Sequence, residues 1–256
     1  MKEFVDVAIS AAREAGALLY ENFGKSVELE YKADKSIVTA LDKQCQRIIV
    51  DKLHSSFRGH LFIAEESESQ IKNIPREYTW VIDPLDGTHN YIRGITAYGV
   101  SIGLIRGDEF LAGVIYLPHE NALYVSEKGS GAYKNDLPIH VSTVSNIEDC
   151  TLSYDSGFKN GVEAKTSMLR KVAPRVFNTR IFGASVRNFT YLAEGKVDAI
   201  IEFDDKIWDF AAGISLVFEA GGQVSELSGV LFIPESCNYL ASNKNIHTQM
   251  LQLMKN

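Results

Sequence analysis

The stretch WVIDPLDGTHNY, Trp80–Tyr91, poses both the structural and the chemical question of this chain. An apolar run, Trp80-Val81-Ile82, stops at Asp83, and Asp86 follows three residues later with no basic residue between them. A short apolar run bounded by turn residues reads as a buried strand, and Pro84 and Gly87 supply the turn. Upstream, LFIA (61–64) reads as a second such strand, and it also ends in acids, Glu65 and Glu66. If the two strands are sheet neighbours, their ends gather Glu65, Asp83 and Asp86. At ~4 Å two carboxylates repel by roughly 4 kcal/mol at an effective dielectric near 20. Such a cluster is either splayed into water or built around cations, and all-oxygen ligation suits Mg2+ or its relatives. DPLD alone is equally a solvated strand-to-loop turn, because Asp-Pro and Asp-Gly are common turn pairs. GTHNY favours a site: Gly87 permits close backbone approach, and Thr88 stands where a helix or turn would begin. Backbone amides there, with the Thr88 hydroxyl, form a phosphate cradle.

Helical spacing surrounds this centre. Phe4, Ala8, Ala12, Ala15, Leu19 and Phe23 mark a first helix ending at Gly24, and Leu41, Cys45, Ile49, Leu53 and Phe57 a second. Thr39 is the candidate N-cap of the second, which puts Asp42 in its first turn, where the helix dipole favours an anion. From Tyr98 to Val141, apolar stretches alternate with RGDE, PHEN, EKGSG and KNDLP, an antiparallel meander. Beyond Ser142 strand and helix alternate: TLSY, VEAKTSMLRKV, NTRIF, SVRNFTYLAEG, VDAIIEF and WDFAAGISLVFEAGG, then strands near Val224 and Leu240 and a last helix from Asn245. The chain therefore divides near residue 140 into an α+β half (1–140) and an α/β half (141–256).

The 256 residues carry a formal net charge of −7 and no Lys/Arg-rich block, which argues against a nucleic-acid surface. Three scattered cysteines, Cys45, Cys150 and Cys237, form no metal spacing and suit a reducing compartment. The N-terminus lacks a signal-peptide core and no stretch has the length of a membrane span, so a cytoplasmic protein is expected.

With these residues in view, the sequence resembles the inositol monophosphatase family of Mg2+-dependent, Li+-sensitive phosphatases. The matching stretches are KADKSIVTALD (32–42), AEES (64–67), WVIDPLDGTHNY (80–91), GASV (183–186), WDFAAG (208–213) and EAGG (219–222), in the family's order and near its spacing. The resemblance implies a layered αβαβα sandwich of α+β class, with an antiparallel sheet in the first half and a mixed second half. It implies that Glu65, Asp83 and the Leu85 carbonyl hold a first metal, and that Asp83, Asp86 and Asp209 hold a second. Gly87 and Thr88 would bind phosphate through their amides, and Thr88, Asp42 and Glu65 would serve the attacking water. Gly183, Ala184, Ser185, Glu202 and Asp209 would line the substrate pocket. Read alone, WDFAAG is the amphipathic start of a helix with Asp209 a first-turn acid, and Glu202 is a solvated strand-end charge. Asp34 and Lys35 fall in a segment that is often a mobile active-site loop in relatives.

Charge accounting adds a mechanism. Glu65, Asp83, Asp86 and Asp209 carry four negative charges, which two Mg2+ ions neutralise; a third would help a phosphate dianion enter, and Mn2+ could substitute. Phosphate monoesters hydrolyse so slowly that acceleration reaches up to ~10²¹, whereas one acid or base contributes about 10²–10⁴, so metals carry most of the work. Direct in-line attack by water is expected, without a phosphoenzyme. The Asn90-Tyr91 pair after DGTH resembles the inositol and fructose bisphosphate branches, so inositol 1-phosphate is the leading substrate and fructose 1,6-bisphosphate the alternative. His89 is a half-exposed histidine or a substrate contact. Arg187, where relatives often carry an apolar residue, is a surface or subunit-contact arginine, or else meets a second phosphate. The resemblance also implies a homodimer. It leaves open a regulatory protein that keeps the fold and binds a partner such as RNA polymerase.

Overall fold

The computed structural model describes residues 2–25, 29–31, 37–67 and 74–255; Asp34 and Lys35 lie outside them. In chain order the first elements are α1 (Lys2–Asn22), β1 (Leu29–Tyr31), β2 (Ile37–Thr39), α2 (Ala40–Ser56), β3 (Leu61–Ala64), β4 (Tyr78–Asp86) and α3 (Thr88–Ile92). The meander follows as β5 (Gly99–Arg106), β6 (Glu109–Leu117), β7 (Ala122–Glu127), β8 (Gly131–Lys134) and β9 (Leu137–Ile139). The second half comprises β10 (Thr151–Tyr154), α4 (Val162–Val172), β11 (Asn178–Arg180), α5 (Ser185–Ala193) and β12 (Ala199–Glu202). It ends with α6 (Ile207–Glu219), β13 (Gly222–Glu226), β14 (Tyr239–Asn243) and α7 (Lys244–Lys255).

Strands β3 to β9 form one sheet in sequential order, and β11-β10-β12-β14-β13 form a second. The first sheet is antiparallel as expected except at its edge, where β3 runs parallel to β4. In the second sheet β11, β10 and β12 are parallel, while β14 and β13 are antiparallel.

Alternation along the strands distributes the core. Trp80, Ile82 and Leu85 pack with α1 and α2 on one face of the first sheet. Ile63 and Val81 point the other way, into a cluster with α5, α6 and the second sheet. The far face of the second sheet is covered by α4 and α7. The result is five layers, α1/α2, sheet, α5/α6, sheet, α4/α7.

Helix α6 is not amphipathic, as its first residues suggest; Phe210 through Val217 are all buried, because sheets press on both sides. Close approach is possible because the strands beneath it carry glycine. A Cβ on Gly113 would lie 2.3 Å from the Ala212 carbonyl oxygen, and one on Gly103 would lie 2.8 Å from the Ala211 Cβ. Backbone rather than a flexible side chain opposes Gly113, so Gly113→Ala is expected to cost about 1–3 kcal/mol through overpacking. A lowered urea midpoint with unchanged slope would show it.

Candidate metal and phosphate site

Two carboxylates three residues apart on a strand should point to opposite faces. A bulge overrides this: Asp83 pairs with Ser101 and Asp86 with Gly99, so three steps on β4 oppose two on β5. Asp83 and Asp86 therefore share the face that looks toward α5 and α6. Pro84, with no N–H for the ladder, sits inside the bulge. The Leu85 amide donates to Asp83 Oδ1 at 3.0 Å. In the parallel register Ile63 pairs with Val81, and the ladder continues as the Glu65 amide donates to the Ile82 carbonyl at 3.1 Å. Glu65 thus follows Ile63 on the same face that Asp83 follows Val81, and the two carboxyl groups hydrogen-bond.

Asp86 is held by the second half of the chain. The Val186 amide at the start of α5 donates to its Oδ2 at 2.6 Å, and the Ser185 and Gly87 amides join it. Asp209, in the first turn of α6, accepts from the Lys206 amide at 2.7 Å. Among the described residues, Asp83, Asp86 and Asp209 each offer a carboxylate oxygen within 4.8 Å of the others. Burial pushes the Asp86 carboxyl up from 3.8 to about 7 against those amide bonds. Asp83 and Asp209 rise as well, first through burial and then through neighbouring acids. Four acids held together fit a divalent cation by donor type and charge. Glu65, Asp83, Asp86 and Asp209 are the side chains that would hold it.

Beside this cluster, Thr88 donates through Oγ1 to the Leu85 carbonyl at 2.9 Å and to Asp42 Oδ1 at 3.2 Å. Asp42 is fully buried at the start of α2, where its Oδ2 accepts from the Thr39 amide at 2.9 Å and the Thr39 hydroxyl at 2.5 Å. Burial raises its pKa, and the Thr39 bonds oppose the rise. Gly87 adopts φ +82°, and a Cβ there would lie 2.8 Å from the Ala97 carbonyl oxygen, so only glycine fits this turn. Its amide, expected to face phosphate, donates here to the Asp86 carboxyl. Asn90 clamps the neighbourhood, its Nδ2 donating to the carbonyls of Ala97, Phe182 and Gly183.

A cleft of about 300 Å³ opens beside Asp86 and Asp209 and is lined by Gly183, Ala184, Ser185 and Glu202, among others. Glu202 is not the solvated strand-end acid its sequence context suggests. It is 5% exposed, and its Oε1 accepts from Asn188 Nδ2 at 2.6 Å. Arg187 is no surface arginine either: it is buried, bonded to Glu120 and stacked on Tyr191 at 4.8 Å. It does not line the cleft, so the second-phosphate role fails for it. His89 is exposed.

Sequence reasoning missed Asp155, Lys165, Asn188 and Asp205, all of which line the cleft. A signal for Asp155 existed. It follows the strand TLSY as Asp83 follows TWVI, and applying the strand-end rule to the second sheet would have found it.

A sequence model of the inositol monophosphatase family matches residues 1–256. A protein of Aquifex aeolicus named fructose-1,6-bisphosphatase/inositol-1-monophosphatase is 35% identical, covering 100% of this chain and 96% of its own. The Nus factor SuhB of Escherichia coli K12 is 34% identical, covering 100% and 97%. Among solved structures, an IMPase of Thermotoga maritima superposes with a TM-score of 0.89 at 32% identity, covering 100% of this chain and 97% of its own.

Proposed function

The chain belongs to the inositol monophosphatase family, and from that premise we propose that it is a Mg2+-dependent phosphomonoester hydrolase acting on a phosphorylated polyol, with inositol 1-phosphate as the leading candidate. The observation that carries this reading is the juxtaposition of two devices. Asp83, Asp86 and Asp209 converge as an acidic triad, and the Asp42–Thr88 pair abuts it through the Leu85 carbonyl. When bound, the ions neutralise the acids, polarise the phosphoryl oxygens and stabilise the leaving alkoxide. Mn2+ as a substitute, a further ion arriving with substrate, inhibition by Li+, a homodimer and a cytoplasmic setting belong to the same reading. So does the division into residues 1–140, with the metal and phosphate motifs, and 141–256, contributing Asp209 and the pocket. Among the described residues no helix is long and apolar enough to cross a membrane.

The chain's own groups then have defined tasks. Thr88 orients the attacking water, and Asp42 receives its proton by way of the Thr88 hydroxyl. The Thr39 bonds keep the Asp42 carboxylate aimed. Thr88 needs no nucleophilic role, so water attacks in line. The Gly183–Ser185 turn and Glu202 receive the polyol. Thr88→Val is expected to lower kcat about 10²-fold, the contribution of one positioned proton-transfer group, with little change in KM.

Phosphate release from inositol 1-phosphate and fructose 1,6-bisphosphate, with Mg2+ and then with EDTA, tests the reading. Turnover should depend on Mg2+ and vanish on chelation. Absence of release from either ester at saturating Mg2+ would overturn it. The similarity to Nus factor SuhB supports a second reading, a regulatory protein that binds a transcription partner. Every proposed side-chain ligand position holds a competent acid, which favours the enzyme, and the two roles are compatible.

A further inference from the structure

The cleft has a second pair of strand-end acids, built as the first pair is built. In the parallel register Tyr154 pairs with Ile201, and the Asp155 amide extends the ladder by donating to the Ile201 carbonyl at 3.0 Å. Asp155 therefore lies beside Glu202 as Glu65 lies beside Asp83. Asp155 and Glu202 are each 5% exposed. Asp205, whose Oδ2 accepts from the Tyr239 hydroxyl at 2.6 Å, completes a wall of three carboxylates lining this end of the cleft.

The second pair contains a cation, Lys165 of α4, only 2% exposed and the one basic side chain among the residues lining the cleft. An ammonium buried in a cleft wall is ordinarily an anion-binding group, because low dielectric leaves its charge poorly screened. Here it is already occupied. Its Nζ lies 2.5 Å from Asp155 Oδ2, donates to the Gly157 carbonyl at 2.9 Å and lies 3.6 Å from Asp204 Oδ2. Glu202 and Asp205 remain as acceptors, with no further cation beside them among the described residues that line the cleft. Such a wall receives hydroxyl donors and repels a second dianion.

We infer that the buried Asp155–Lys165 ion pair selects phosphate esters whose distal end is uncharged and rich in hydroxyls, against esters carrying a second phosphate there. The inference rests on the phosphatase reading above and narrows its substrate class. Asp155 acts through Lys165: it cancels the charge that would otherwise accept a distal phosphate. A purely structural brace between the loop after β10 and α4 would change stability and leave ligand preference alone.

Calorimetry with Ca2+ in place of Mg2+ reads binding without turnover. Dissociation constants for inositol 1-phosphate and fructose 1,6-bisphosphate would be compared in wild type, Asp155→Asn and Asp155→Asn/Lys165→Met, with Mg2+-dependent phosphate release measured in parallel. Asp155→Asn should move the affinity ratio toward the bisphosphate by about tenfold or more, and the double variant should lose that gain. An unchanged ratio in folded Asp155→Asn, or a gain that survives removal of Lys165, overturns the inference. If Asp155→Asn does not fold, Asp204→Asn decides at an exposed position: a shift of about threefold in the same direction supports it, and none overturns it. Wild type that binds the monophosphate but never releases phosphate overturns the phosphatase reading and leaves the selectivity result standing. Wild type that binds neither ester overturns both.

Discussion

Asp83→Asn is expected to lower kcat by ~10³-fold or more, and at the same time to raise the melting temperature of the metal-free protein. The two effects have one cause. Asp83 is 2% exposed and lies among Glu65, Asp86 and Asp209, each of which pushes its pKa upward after burial itself. As a proposed ligand of both ions it would supply charge to each, and several kcal/mol of transition-state stabilisation would depend on that charge. Without ions the same charge only repels its neighbours, so an isosteric amide relieves the cluster. Asparagine keeps the Oδ1 that the Leu85 amide uses, so the bulge has no reason to open. Turnover at saturating Mg2+ and melting in EDTA check both halves. Near-normal turnover by a folded Asp83→Asn protein would remove the two-metal assignment.

Raising the pH should destabilise the metal-free protein, and adding Mg2+ at high pH should reverse the loss. Burial holds the carboxyls of Asp86 and Asp205 up at about 7, against 3.8 for the exposed group. Asp83, Asp209 and Glu202 move in the same direction, again first through burial. Between about pH 4 and 7 the folded chain therefore binds more protons than the unfolded chain, so stability falls as pH rises through that window. A shift of this size in one carboxyl corresponds to about 4 kcal/mol. His247 opposes the trend. Buried between Ser242 and Ser225, its pKa is pushed down to about 4, so it adds stability as pH rises toward its unfolded value of 6.5. His60, also lowered by burial, and Glu109 and Glu194, lowered by bonds to neighbouring lysines, oppose it too; with Asp42 the raised carboxyls number six and outnumber these four. Denaturation midpoints at pH 5 and pH 8, in EDTA and in excess Mg2+, measure the balance. A metal-free midpoint that is flat or rises with pH would show that the cluster is not held under repulsion.

Helix and strand order were legible because periodicity is a local property. In α1, Ala8, Ala12, Ala15 and Leu19 became a buried stripe with Phe4 partly buried against it, and Thr39 capped α2 with Asp42 in the reciprocal box. Acids directly after apolar runs were legible as candidates too, because a buried strand cannot end in unpaired carboxylates without a reason. The readings made from sequence neighbours alone, Glu202 as a solvated acid, Arg187 as a surface arginine and α6 as amphipathic, failed for one reason. Each was judged by its sequence neighbours, whereas burial was imposed by Asn188, Glu120 and two sheets from elsewhere in the chain.

By itself, then, the sequence determined the element order, the αβαβα layering through its resemblance, and the list of acids available for cations. Only the tertiary structure decided which acids meet. The bulge at Pro84-Leu85 turned Asp86 onto the face of Asp83, and the parallel register of β3 with β4 set Glu65 beside them. A helix start 100 residues away supplied amides to Asp86, and Lys165 was brought against Asp155. The physical reason is range: periodicity and capping act over a few residues along the chain, whereas charge and hydrogen bonding act over a few ångströms in space. Strand register and helix docking alone convert one distance into the other.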